Sequence, residues 1–327
     1  MARFYREADC DRSLLEGKTV AVVGYGSQGQ AQSLNLRDSG VRVVVGLRKG
    51  STSAAEARRE GLSVKSVEEA VEEADVVSLL VPDESHGEVF TRFIAPRMKE
   101  AAALCLAHGL SVHFGILKPR RDVDVVMVAP LGAGRLLRKR YLDGSHLPCY
   151  VAVQQDYSGS SLRKVLAYAL VVGCARAGIL ETTFRDEAEV DLFGEQAVLC
   201  GGIGYLLLRA FEVLVGAGCD PEMAYMECVN QLKDAADLIS TTGLDGLTES
   251  ISSPALHGML TRGGRVAGKE TERAMKELMA EIRSGQFVKE WRAEGTAGSP
   301  KLKKLLGEWK SHKMHEVGRN LREKTKS

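Results

Sequence analysis

The sequence predicts a doubly wound α/β domain over residues 1–182 followed by an all-helical domain over residues 183–327. Three observations predict it. Short β-branched apolar runs recur through the first half, most of them with helical stretches between. A glycine-rich turn joins the first run to its helix, and beyond Glu187 apolar residues recur only at helical spacing. At 327 residues the chain can bury a core in each of two domains.

Residues 18–23 open the α/β domain with an apolar run that ends in glycine, the pattern of a strand buried on both faces. An amphipathic stretch then runs to Ser39, Gly40 stops it, and residues 41–45 form the second strand. Residues 75–81, 103–107, 124–128 and 150–153 continue the series. Strands separated by helices build βαβ units, so a parallel sheet with helices on both faces is expected.

Composition excludes several function classes. A formal net charge of +1 gives no field for nucleic acid or for a basic partner. The longest apolar stretch, residues 197–208, is broken by glycines and too short to cross a bilayer, and residues 1–7 lack a signal-peptide core. Seven cysteines without a Cys-x-x-Cys pair point to reduced thiols. The expectation is a cytoplasmic protein acting on a small molecule, without nucleic-acid or membrane partners.

Gly24-Tyr25-Gly26-Ser27-Gln28-Gly29 sits where the first strand gives way to a helix. Glycine there permits the tight turn and lets a pyrophosphate approach the backbone and the positive end of the helix. A chain with 34 glycines generates such spacings by chance, and a flavodoxin-like domain could use the same turn structurally. Its place inside the first βαβ unit favours a dinucleotide and a Rossmann domain. An NAD site puts an acid at the end of the second strand, whereas residues 46–53 contain none. Arg48, Ser51 and Ser53 offer a guanidinium and hydroxyls suited to a 2′-phosphate, which points to NADP; a solvated basic loop is the alternative.

In the helical domain, Asp191 and Glu195, and likewise Glu227 and Gln231, stand four residues apart on one helix face among apolar neighbours. Hard oxygen ligands without nearby His or Cys suit magnesium; surface charge, or an ion pair to Lys233, would show the same spacing. The basic tail, residues 301–326, reads as a terminal helix with Leu302, Leu305, Leu306 and Trp309 packed inward. His108 alone reads as a core or loop histidine rather than a site residue, since a lone histidine carries little signal.

Longer motifs add a resemblance. The glycine motif, Leu80-Val-Pro-Asp83, Ala107-His-Gly109, Glu181-Thr-Thr-Phe184, the run from Asp191-Leu-Phe-Gly-Glu195 to Gly202, Pro221-Glu-Met-Ala-Tyr225, Glu227-Cys228 and Ser250-Ile-Ser252 resemble ketol-acid reductoisomerases of the short, single-knot type. The resemblance covers essentially the whole chain. It implies a knotted helical domain, a homodimer or higher homo-oligomer with shared active sites, NADPH, and magnesium. It also implies migration of an alkyl group in an acetohydroxy acid followed by reduction of the resulting 2-keto acid, a step of branched-chain amino acid biosynthesis. Residue by residue, Asp191 would bridge two magnesium ions, Glu195 would bind one, and Glu227 of a second subunit would serve the other. Ser252 would hold the substrate carboxylate, His108 would line the site near the nicotinamide, and Asp83 would belong to the cofactor site.

The chain departs from that pattern where the chemistry is most demanding. Leu131 follows Pro130 in place of a lysine, Arg135 replaces a histidine, and Gln231 replaces a glutamate. Ser253-Pro-Ala-Leu-His-Gly258 replaces Asn-Thr-Ala-Glu-Tyr-Gly. Leucine neither donates nor carries charge, and an amide is a weaker ligand than a carboxylate for a hard dication. The expectation is a reductase of 2-keto acids with an impaired isomerase step. A complete reductoisomerase and a non-catalytic NADP sensor are the alternatives.

Overall fold

The structure is a computed structural model that describes residues 2–325; Met1, Ser327 and Lys326, the last lysine of the basic tail, lie outside the described residues. The chain divides into two compact units, residues 1–190 and 191–327.

The first unit is built on a sheet of β1 (Phe4–Tyr5), β2 (Thr19–Val23), β3 (Arg42–Gly46), β4 (Ser63–Lys65), β5 (Val76–Leu79), β6 (Ala103–Leu106), β7 (Asp124–Pro130), β8 (Cys149–Gln155) and β9 (Ile179–Glu181). Their order across the sheet is β1-β9-β8-β7-β6-β5-β2-β3-β4. Every strand expected from the apolar runs is present. β1, β4 and β9 are only two or three residues long, too short for an apolar periodicity to announce them. The strands from β4 to β7 are parallel, whereas β8 runs antiparallel to β7 and β1 antiparallel to β9. A strand buried on both faces reads the same in either direction, so the fully parallel expectation could not register those reversals.

Alternate residues of each strand feed two cores. Val20 and Val22 pack with α1 (Ser27–Asp38), α2 (Ser53–Arg59), α6 (Gly134–Asp143) and α7 (Ser161–Val172). Ala21 and Val23 pack with α3 (Val67–Glu73) and with Phe90, Ile94 and Met98 on the opposite face. Between α3 and α6 lie the short helices α4 (His86–Val89) and α5 (Leu110–His113). The chain order reverses between β2 and β5, the position where doubly wound sheets open a crevice at the strands' carboxyl ends.

The helical unit follows α8 (Phe184–Gly194), which spans the division. It comprises α9 (Gly201–Gly216), α10 (Pro221–Tyr225), α11 (Leu232–Ser250), α12 (Ser253–Val266), α13 (Lys269–Arg283), α14 (Gln286–Thr296), α15 (Pro300–Ser311) and α16 (Lys313–Lys324), with no strand among its described residues. Leu208, Phe211, Ala224, Met314 and Val317 form its buried core, ringed by Tyr225, Trp309 and Leu321.

One expectation is corrected here. Leu302, Leu305 and Leu306 of α15 are exposed rather than packed inward, and only Trp309 of that set is half-buried, its ring edge-on to Tyr205 at 5.2 Å. Helical spacing shows that a face is apolar but not what covers it. The helix running from Phe184 to Gly216 is 33 residues long, and an 18-residue window of it is apolar enough for a membrane span, a test that core helices of soluble proteins also pass.

Candidate functional site

The glycine motif occupies the expected turn between β2 and α1. Gly24 has φ +105°, and a Cβ there would lie 2.6 Å from the Leu80 carbonyl oxygen, so only glycine fits between β2 and β5. A Cβ on Gly29 would overlap the Gly24 carbonyl, which lets α1 start hard against the turn. Gly26 is different: a Cβ there would meet no protein atom within 4 Å. It is the N-cap of α1 and supplies no side-chain acceptor to the helix's first amides. The turn therefore presents unpaired N–H groups and a cradle that a side chain would fill, which fits a dinucleotide's pyrophosphate.

The other motif side chains serve the protein itself. Gln28 Nε2 donates to the Gly132 carbonyl at 2.9 Å, and Ser27 Oγ accepts the Gly134 N–H at 3.1 Å. Tyr25 is buried and donates its hydroxyl to Glu60; burial first, and that carboxylate second, push its pKa up. Gly24 N–H bonds the Gly46 carbonyl at 3.1 Å, which sets the end of β3 beside the glycine turn. Arg48, Ser51 and Ser53 follow in one tight turn, closed by Ser51 N–H to Arg48 O at 3.1 Å, with Ser53 opening α2. Arg48 is exposed there.

His108 stands just beyond β6, and its Nδ1 lies 2.9 Å from Glu187 Oε2. Gly109 N–H donates to the same oxygen at 2.6 Å, and Glu187 is only 5% exposed. A carboxylate already fixed by a backbone amide accepts from the ring and assigns its proton to Nδ1. Asp83 follows β5, with its carboxylate 3.6 Å from Nδ1 of the buried His86. His86 Nε2 donates to Val81 O at 2.9 Å and Nδ1 accepts from Ser111 Oγ at 2.8 Å, tying the loop after β5 to α5. Burial pushes the His86 imidazole below its ordinary range, against the pull of Asp83. Glu187 and His86 were not singled out from the sequence. Glu187 carries one legible signal, since it precedes Asp191 by four residues as Asp191 precedes Glu195. His86 carries none.

Leu131 is exposed at the end of β7, where its N–H bonds Pro148 O at 2.9 Å, and Arg135 is exposed in the first turn of α6.

Both acidic motifs of the helical unit coincide with π-helical turns. One spans Glu195–Leu199 and closes with Cys200 N–H to Glu195 O at 3.0 Å. The other spans Met226–Asn230 and closes with Gln231 N–H to Met226 O at 3.3 Å. Such wide turns are rare and concentrate at functional sites. The first explains the glycine pair behind it, because a Cβ on Gly201 or Gly202 would overlap the Gln196 or Ala197 carbonyl.

Asp191, Glu195 and Glu227 are exposed, which corrects the expectation of acids buried among apolar residues. Of their apolar neighbours Val198 and Met226 are exposed as well, Phe193, Cys228 and Val229 are half-buried, and Leu192 is buried. Gln231 Nε2 donates to Glu227 Oε2 at 2.7 Å, while Lys233 pairs with Asp237 at 2.5 Å rather than with the motif. Among the described residues no three Asp, Glu, His or Cys side chains gather in metal-binding geometry. Ser252 is the N-cap of α12, and its Oγ accepts from Ala255 N–H at 3.4 Å.

Comparison with known proteins agrees with both units. Residues 14–178 match the family model described as acetohydroxy acid isomeroreductase, NADPH-binding domain, and residues 184–327 match ketol-acid reductoisomerase, C-terminal domain. A solved NADH-preferring ketol-acid reductoisomerase from an uncultured archean is 40% identical, with 98% of each chain covered and a TM-score of 0.95. A semialdehyde dehydrogenase NAD-binding protein from Cupriavidus necator (18% identity, 82% and 99% covered, TM-score 0.63) shares the fold alone. So does a putative oxidoreductase from Jannaschia sp. (17%, 80% and 96%, TM-score 0.61). The chain belongs to the ketol-acid reductoisomerase family, as an oxidoreductase built on a nicotinamide-nucleotide-binding domain and a helical domain.

Proposed function

We propose that this chain is a soluble, cytoplasmic, NADPH- and magnesium-dependent reductase of a 2-keto acid in which the alkyl-migration step of its family is impaired. The observation behind this reading is the bond from Gln231 Nε2 to Glu227 Oε2 at 2.7 Å. A neutral amide stands where a second carboxylate would be, and it occupies one of the oxygens that Glu227 could offer a cation. Leu131 adds to the deficit, since it can neither deliver nor accept a proton.

The residues present fit one magnesium ion. Asp191 and Glu195 are exposed oxygen donors one turn apart, and magnesium commonly takes one or two carboxylates and keeps its remaining waters. When bound, magnesium would polarise the substrate's oxygens. Glu187 orients the His108 ring through Nδ1, and this imidazole is the proposed group for moving a proton near the nicotinamide. The first-turn amides of α12, behind Ser252, suit a substrate carboxylate. Glu227 is proposed to act from a second copy of the chain, in a homodimer or higher homo-oligomer.

Arg48, Ser51 and Ser53 support NADPH over NADH. The archaean relative is NADH-preferring, whereas the matching family model is described as NADPH-binding, so the preference proposed for this chain stands on these three residues. That relative's activity, at 40% identity, favours a second reading, a complete reductoisomerase. A panel of 2-keto acids, acetohydroxy acids and cyclic imines, each with NADPH and magnesium, tests the proposal. Reduction confined to 2-keto acids is expected; turnover of cyclic imines alone would refute it.

A further inference from the structure

Residues 132–134 are fastened to the start of α1 by the Gln28 and Ser27 bonds, and a Cβ on Gly134 would overlap the Ser27 carbonyl. That packing fixes where α6 begins. Arg135 follows directly and, with Ser27, lines a cavity of about 600 Å³. Arg37 and Arg138 line the same cavity, but both are paired with Asp38. Among the described residues Arg135 has no hydrogen-bond or ion-pair partner, and the first turn of a helix disfavours a cation. Lys139, one turn further along α6, is also unpaired but lies beyond the turn that Gly134 fixes. An unpaired guanidinium against a helix dipole, held beside an uncapped glycine turn, calls for an anion from outside the chain.

We propose that Arg135 binds the pyrophosphate of the nicotinamide nucleotide and supplies the cation that the start of α1 lacks. The proposal rests on the glycine turn being the nucleotide site, and it divides the phosphates between two residues. Arg135 would serve the pyrophosphate common to NADH and NADPH, and Arg48 the 2′-phosphate of NADPH alone. No step of the reaction depends on either assignment.

Calorimetric titration of the full chain with NADPH and with NADH tests it without any turnover. Arg135→Gln should weaken both nucleotides by the same factor, about tenfold, as expected for loss of one charge-assisted contact. Arg48→Gln should weaken NADPH and leave NADH unchanged. If Arg135→Gln lowers the nucleotide-free melting temperature, Arg135→Lys, which keeps the charge, replaces it and should retain part of the affinity. Unchanged affinity in Arg135→Gln, or a loss confined to NADPH, overturns the proposal. Failure of the wild type to bind either nucleotide overturns the glycine-turn reading itself, a result distinct from failure of Arg135 alone.

Discussion

Arg48 stands on a turn whose position is set by backbone alone: Gly24 N–H to Gly46 O, then Ser51 N–H to Arg48 O. Its guanidinium and the Ser51 hydroxyl can therefore be exchanged without disturbing β3. Arg48→Asp with Ser51→Asp should replace phosphate recognition by a carboxylate suited to ribose hydroxyls. Charge-assisted phosphate bonds worth about 2–3 kcal/mol in total correspond to a preference of roughly 30- to 150-fold, and the double variant should reverse it. Equal KM values of the wild type for NADH and NADPH would contradict the assignment. At this scale the sequence was informative wherever a residue type answers a backbone demand, as Gly24 and Gly29 do. It was silent wherever a role comes from a partner distant in the chain. Glu187 matters because it meets His108 and Gly109, 79 and 78 positions away, and Gln231 matters because of the oxygen it bonds.

Elements were legible by their periodicity, and their irregularities were not. The six longer strands stand out as apolar runs, yet the reversal of β8 and the π turns at both acidic motifs leave no mark in apolar spacing. The Gly201-Gly202 pair is the nearest thing to a mark, and it becomes meaningful only once the widened turn is seen. A second hidden device anchors β7 to α7. Asp124, the first residue of β7, is fully buried and accepts from Lys164 Nζ at 2.8 Å, Ser158 N–H at 2.9 Å and Ser158 Oγ at 2.7 Å. Burial alone would raise its pKa, but those donors outweigh it and hold the carboxyl below its ordinary value. A depressed folded-state pKa means the stabilisation is complete above the unfolded value, near 3.9, and is lost as pH falls through the folded value. Asp124→Asn should cost roughly 1–3 kcal/mol at neutral pH, because it takes the charged partner from Lys164, which is only partly exposed. The gap from wild type should begin to narrow below about pH 4 and close only as pH falls through the lower folded-state value. Urea unfolding at both pH values measures it, and an unchanged midpoint at neutral pH would remove Asp124 from the list of anchors.

For the whole molecule, the two-unit architecture followed from texture alone: alternating strands and helices, then helices only. The extent of burial in the helical unit did not follow, because an apolar face is written in the sequence whether or not the chain covers it. Leu199, Tyr205, Leu206 and Val213 along α9 and its entry, with Leu302, Leu305 and Leu306, are exposed in the single chain, large apolar side chains of the kind that partner surfaces cover. A second copy of the chain is the proposed cover. Sedimentation at micromolar concentration should show a dimer or larger assembly, and Leu206→Glu with Val213→Glu should shift it towards monomer and lower activity with it. A monomeric wild type with full activity would exclude shared sites.

The central claim is that reduction survives in this chain while migration is impaired. It is tested most directly by comparing turnover of 2-acetolactate with turnover of 3-hydroxy-3-methyl-2-oxobutanoate, the keto acid that migration would produce, under one set of NADPH and magnesium concentrations. Loss of a single electrostatic contributor typically costs about 10²–10³ in rate, and two that act as a unit need not multiply. The account predicts that acetolactate is turned over at least about 100-fold more slowly than the keto acid, and that Leu131→Lys with Gln231→Glu narrows the ratio. Comparable wild-type rates on the two substrates would contradict it and make this chain a complete reductoisomerase.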